Sequence, residues 1–225
     1  MAAFDRVLSG IPEMDTAFDN IRLGDNVVWR VSDLAQFRLF MEPYVEQAVR
    51  DRRNIIYFRF AGHEPLIEDR PEVRTVRLPL SHRFETFTVD IHNIIEQEGK
   101  DAFYVFDCLS DLQAAWATDL MMGNFFRVTC PFLFVLDTVA FFPIIRGKHS
   151  VRAINKILNT TQLVIDVYAD RKNIYVRPEK VWNRTSETMF LPHTYEPETG
   201  RFRPILDGVK ASHFYQTLAQ AQNDQ

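Results

Sequence analysis

The chain has 225 residues, a formal net charge of −4 and 46% hydrophobic residues, 19 Phe among them. That is apolar material enough for one large α/β core, and the acidic balance excludes the basic surface on which general nucleic-acid affinity rests. No window approaches the ~20 apolar residues of a membrane span, and Met1–Gly10 lacks the apolar run of a secretory leader, so the expectation is a cytoplasmic protein with no membrane or nucleic-acid partner.

The predicted elements begin after a turn at Ser9-Gly10-Ile11-Pro12. A helix carries Met14, Ala17, Phe18 and Ile21, and Leu23-Gly24-Asp25 turns into a first core strand, Asn26–Val31. The next helix starts near Leu34 and places Leu34, Phe37, Met41, Tyr44 and Ala48 on one face, the 3.6-residue period. Pro43 inside it cannot donate to residue 39 and should kink it. Asn54–Phe60 reads as the second strand, Ala61–Pro65 as a loop, Arg74–Leu80 as a short extended piece, and His82–Glu98 as a helix stopped by Gly99.

Ala102–Asp107 is an uninterrupted apolar run ending in a carboxylate, as expected of a central parallel strand covered on both faces. Leu112–Arg127 is the next predicted helix, Pro131–Asp137 the next predicted strand, and Ser150 caps a helix to Leu158 before a fifth strand at Thr161–Tyr168. Hairpins follow, turning at Ala169–Asn173 into Ile174–Arg177, and at Glu196–Gly200 between Met189–Tyr195 and Arg201–Ile205. Cys108 and Cys130 lie in apolar runs and read as buried free thiols of a reducing compartment. Residues 1–208 thus form one α/β domain, and 209–225 a polar helix that could connect to a further domain.

The turn between Val31 and Leu34 is where a mononucleotide-binding domain carries its phosphate loop. Such a loop needs glycines to wrap the phosphates and a lysine to reach their oxygens. Here no glycine lies between Gly24 and Gly62, and the first lysine is Lys100. The Gly-Lys pairs at 99–100 and 147–148 have Ile94 and Phe142 where the motif's first glycine belongs. Asp33 followed by Gln36 fits a capping box, which puts a carboxylate where a phosphate would sit.

The segment SGIPEMDTAFDNIRLGDNVVW resembles the opening of RecA/KaiC-like ATPase domains, and FYVFD resembles their Walker B strand. More narrowly, GIPEMD…LGDNVVWRV…NIIYFRFAGHEP resembles a degenerate version of that domain found ahead of phosphoenolpyruvate synthase and pyruvate phosphate dikinase-like proteins. The resemblance implies a mainly parallel RecA-like sheet between helices, with antiparallel C-terminal hairpins. It aligns Asp107 with the Walker B aspartate, which holds Mg²⁺ through water in active relatives. Glu64 falls near a water-activating glutamate, and Asp137 ends the next strand. The phosphate-loop lysine and hydroxyl have no counterpart; Ser32 is the nearest hydroxyl.

Each candidate has a plainer role. Asp107 faces the crevice of an open sheet, or caps the turn after its strand. His63 and Glu64 form an acid/base pair, or two unrelated loop residues. Arg30 and Arg38 offer anion contacts with Ser32, or pair with carboxylates such as Asp33 and Glu42. The histidines, His82, His92, His149, His193 and His213 among them, lack metal-ligand spacing, so no metal is expected. The leading expectation is a non-catalytic scaffold or regulatory domain of a phosphotransfer machine, with no cofactor, and with a protein partner or a further domain of the same polypeptide. The alternatives are Mg·ATP binding or phosphotransfer through Asp107, Glu64 and the arginines, and a ring-forming homo-oligomer, since the resemblance implies flanks used as subunit interfaces.

Overall fold

The computed structural model describes residues 5–79, 81, 83–170 and 173–223. Leu80, His82, the turn residues Arg171 and Lys172, and the final Asp224 and Gln225 lie outside them. The chain opens with β1 (Arg6–Val7), α1 (Pro12–Phe18) and β2 (Ile21–Arg22), β1 and β2 pairing as a small antiparallel ribbon. Then follow β3 (Asn26–Val31), α2 (Leu34–Arg50), β4 (Ile55–Arg59), β5 (Val73–Arg77) and α3 (Phe84–Glu98). Next come β6 (Phe103–Phe106), a 3₁₀ turn at Leu109–Asp111, the short α4 (Leu112–Ala115), α5 (Asp119–Val135), β7 (Val139–Ile145) and α6 (Val151–Thr160). The chain closes with β8 (Leu163–Ala169), β9 (Ile174–Val181), β10 (His193–Glu196), β11 (Arg201–Pro204) and α7 (Gly208–Asn223).

Nine strands form one sheet in the order β11-β10-β9-β8-β3-β7-β6-β4-β5. From β8 to β5 every neighbouring pair is parallel, and from β8 outward to β11 every pair is antiparallel. The fold is therefore mixed α/β, with a mostly parallel centre and antiparallel strands along one side. Period-2 alternation sends Val27, Trp29 and Val31 to one face and Val28 to the other, so β3 is apolar on both sides, as a covered parallel strand must be. On the first face α1 and α2 bury Met14, Phe18, Phe37, Phe40 and Tyr44 against Trp29, Phe103 and Phe141. On the second, α3, α5 and α6 bury Phe87, Phe125, Phe126 and Ile157 against Phe58, Tyr104, Phe106 and Phe142.

Two features of α2 follow from single residues. Pro43 leaves the carbonyl of Leu39 without its helical donor, and Tyr195 on β10 supplies a hydroxyl to that oxygen at 3.4 Å. Gly10 has φ +86°, and a Cβ there would meet the Pro43 carbonyl oxygen at 2.2 Å, so only glycine lets the opening loop lie against α2.

One predicted strand is corrected. Residues 131–137 belong to the end of α5 and the turn after it, and the strand is β7, at 139–145. The buried positions Met122, Phe125, Phe126, Thr129, Cys130 and Leu133 recur at helical spacing, while Pro131 and Val135 point outward. The Phe- and Val-rich composition of 131–137 suggested a strand; the period decides for a helix. The predicted helix 112–127 is likewise divided, breaking at Trp116–Thr118 before Thr118 caps α5 by accepting from the Met121 N–H. Pro143 then sits inside β7, a position that argues against a central strand in sequence. It is tolerated because the β6 ladder ends at the Val105–Phe141 pair, just before the missing N–H would be needed.

Candidate functional site

Neighbouring β3 and β7 send their connections to opposite sides: α2 leads from β3 to β4, and α6 leads from β7 across to β8. This is a topological switch point, where open α/β sheets form a ligand crevice outside the carboxyl ends of the strands. The residues there are Ser32 and Asp33 after β3, and Arg146 after β7.

The crevice is filled by the chain itself. The Arg146 N–H extends the ladder to the Val31 carbonyl at 2.8 Å. Its guanidinium donates to Ser32 Oγ and to the Val167 carbonyl, and lies 4.0 Å above the Tyr168 ring. Beneath it, Arg30 pairs with the buried Asp166 at 3.1 Å, and Tyr168 donates to the same carboxylate at 3.0 Å. Burial pushes Asp166 above the ordinary carboxylate range, with Arg30 acting against it. The helix start is closed too. Asp33 accepts from the Gln36 N–H at 3.0 Å, and the Gln36 side chain accepts from the Ser32 N–H at 3.0 Å. This is the expected capping box, its return bond reaching one residue further back. Two of the N–H groups at this turn, those of Ser32 and Gln36, are thus spent internally.

Asp107 follows β6 and is fully buried. Its Oδ2 accepts from Arg59 at 2.6 Å, from the Phe60 N–H at 2.8 Å and from the Ala61 N–H at 2.9 Å, and its Oδ1 accepts from Tyr57 Oη. Tyr57 in turn receives the Leu66 N–H at 3.0 Å, and Arg59 also donates to the His63 carbonyl. Burial first, and the neighbouring Asp107 second, push the Tyr57 hydroxyl well above its usual pKa. The Asp107 carboxylate therefore holds the 60–66 loop against β4, with its lone pairs committed.

The remaining candidates disperse. Glu64 is exposed, and its backbone carbonyl, not its carboxylate, meets His63, through Nδ1 at 2.7 Å. His63 Nε2 instead faces Asp107 and Asp111, at 3.7 and 3.8 Å. Arg38 donates to the carbonyls of Pro65 and Leu66 and reaches Glu42 only at 4.0 Å; Arg30 pairs with Asp166 rather than Asp33. Asp137 does not end a strand. It lies between α5 and β7, at the amino end of the strands and so opposite the crevice, with φ +55° and Lys100 at 3.6 Å. That displacement follows from the corrected β7.

The chain matches no family model and no curated protein. Among the described residues no helix is long and apolar enough to cross a membrane, and no group of three or more His, Cys, Asp or Glu side chains is placed to hold a metal ion. Cys108 and Cys130 are buried free thiols, and burial pushes Cys108 up to about 12. Two residues escaped sequence reasoning. Arg146 was hidden because its strand, read at 131–137, lies eight positions later; a strand read at 139–145 would have made it the strand-end residue at the switch point. Ser110, three residues after Asp107, joins His149 and Asp119 in a polar chain that no local motif announces.

Proposed function

We propose that this chain is a non-catalytic scaffold or regulatory domain of RecA/KaiC-like descent that has lost nucleotide hydrolysis and serves a phosphoenolpyruvate synthase- or pyruvate phosphate dikinase-like phosphotransfer machine. The observation that carries the reading is the crevice at β3 and β7, where Arg146 lies against Ser32 and Asp33 caps α2. A nucleotide would have to displace a half-buried guanidinium from its hydrogen bonds and enter beside a carboxylate, with no glycine loop to wrap its phosphates. A mostly parallel sheet between helices, with antiparallel hairpins at one side, is the architecture the sequence resemblance implies. The commitment of Asp107 to Tyr57, Arg59 and the 60–61 backbone supports the same reading, since a water-bridged Mg²⁺ would compete for those lone pairs. The protein partner or adjoining domain is then recognised by the outer surface rather than by a bound nucleotide. A phosphate-release assay with Mg·ATP tests this: the expected result is no release above buffer, and sustained release abolished by Asp107→Ala would overturn it.

A further inference from the structure

Loops at the carboxyl ends of β6 and β7 and the start of α5 bring three side chains into one hydrogen-bonded chain. Ser110 Oγ lies 2.8 Å from His149 Nε2, and His149 Nδ1 lies 3.2 Å from Asp119 Oδ1. Proton accounting fixes the roles. A carboxylate only accepts, so Asp119 at 3.2 Å calls for the ring proton on Nδ1, and Ser110 Oγ, which accepts the Ile145 N–H at 2.9 Å, is left to donate to Nε2. Nε2 is then the acceptor, and the ring proton sits on Nδ1, facing Asp119. Gln113 Nε2 lies 3.1 Å from Nδ1 and 3.0 Å from Asp119 Oδ1; with Nδ1 protonated, its partner is the carboxylate. The Ser150 N–H donates to Asp119 Oδ2 at 2.8 Å. Burial acts to raise Asp119, but the bonds from Ser150 and His149 outweigh it and hold the carboxyl below its usual range. Burial also lowers the imidazole of His149, whose side chain is fully enclosed, so it is neutral at pH 7.

A hydroxyl, a neutral imidazole and an ionised carboxylate in this order form the arrangement that activates a serine for acyl transfer, recognised by geometry rather than by sequence position. We propose that Ser110 is an activated nucleophile that accepts the acyl group of small carboxylic esters, with His149 as its general base and Asp119 as the residue that positions the imidazole. Oγ attacks the ester carbonyl carbon while its proton passes to Nε2. The bond from that carbon to the leaving oxygen then breaks, the leaving alkoxide takes the proton, and Ser110 carries the acyl group until water hydrolyses it. Only 6% of Ser110 is open to solvent, which restricts the donor to slim groups such as acetyl.

A purely structural staple would hold these same bonds without reacting. The distinction is measurable on the full chain with p-nitrophenyl acetate, by mass spectrometry with peptide mapping. One acetyl group on Ser110 is expected, forming at least ~100-fold more slowly in His149→Gln, the lower range of general-base catalysis. Asp119→Asn keeps the shape while removing the charge, and should slow acylation by a similar factor if His149→Gln fails to fold. Absence of acetyl on Ser110 in the wild-type protein overturns the proposal, as does an unchanged rate in either folded variant.

Discussion

Replacing Asp107 separates a structural carboxylate from a metal-binding one. Asp107→Ala would leave the Arg59 guanidinium, the Tyr57 hydroxyl and the N–H groups of Phe60 and Ala61 without their acceptor. Breaking a buried ion pair by removing one partner costs about 3–5 kcal/mol. The Arg59 side chain keeps 16% of its exposure and the His63 carbonyl as a second partner, which places the loss near the lower end. Part of the orphaned backbone cost adds to it, at about 1–3 kcal/mol for a fully unsatisfied group. The expected destabilisation is about 4 kcal/mol, a large share of the ~5–15 kcal/mol that holds a domain folded. Asp107→Asn keeps one carbonyl oxygen as acceptor and should cost roughly half as much. Urea denaturation followed by tryptophan fluorescence reads both. A loss below ~1 kcal/mol in Asp107→Ala would refute the reasoning, because the carboxylate would then be free of the loop and available for chemistry.

Asp33→Ala should cost ~1 kcal/mol, the usual worth of an N-cap, and an unchanged denaturation midpoint would mean that α2 does not depend on its cap. His193 is enclosed between Phe18 and Phe202, and burial lowers its pKa to about 4 against a smaller opposing pull from the Leu191 backbone. A folded pKa below the unfolded ~6.5 gives stability that is present above that value and lost as pH falls towards 4, by about 3 kcal/mol. Wild type should lose that much more than His193→Phe between pH 7 and 4, and equal losses would contradict the burial argument. In α7 only Phe214 is a buried anchor among the described side chains, with Ala211 and Leu218 partly buried, so amides after Leu218 should exchange within seconds while β6 and β7 stay protected. Strong protection to the end of α7 in a monomer would contradict this.

Where local chemistry decides an element, it was legible in sequence. The bounds of β3, the Asp33 cap of α2, the apolar strand ending at Asp107 and the Ser150 cap of α6 all rest on neighbours within four residues. The sheet's antiparallel side was legible for the same reason, as its turns announce themselves in 169–173 and 196–200. Long-range partners were not. Arg146 reaches Ser32 across 114 residues, and Tyr57 reaches Asp107 across 50. No local pattern states that an arginine will fill the crevice at the switch point. The misplaced strand compounded this. Phe and Val in 131–137 suit a strand or a buried helix equally, and Pro143 discouraged the true one. The Ser110, His149 and Asp119 chain was invisible because its members come from two loops and a helix start joined only by the fold.

The central claim is that the switch-point crevice is closed by the chain's own Arg146 and Asp33. Calorimetric titration of the full chain with ATP and Mg²⁺, taken to millimolar nucleotide, tests it most directly. The account predicts no saturable heat. A micromolar dissociation constant that is lost in Asp107→Asn would contradict it, because nucleotide would then be bound with the Asp107 carboxylate taking part.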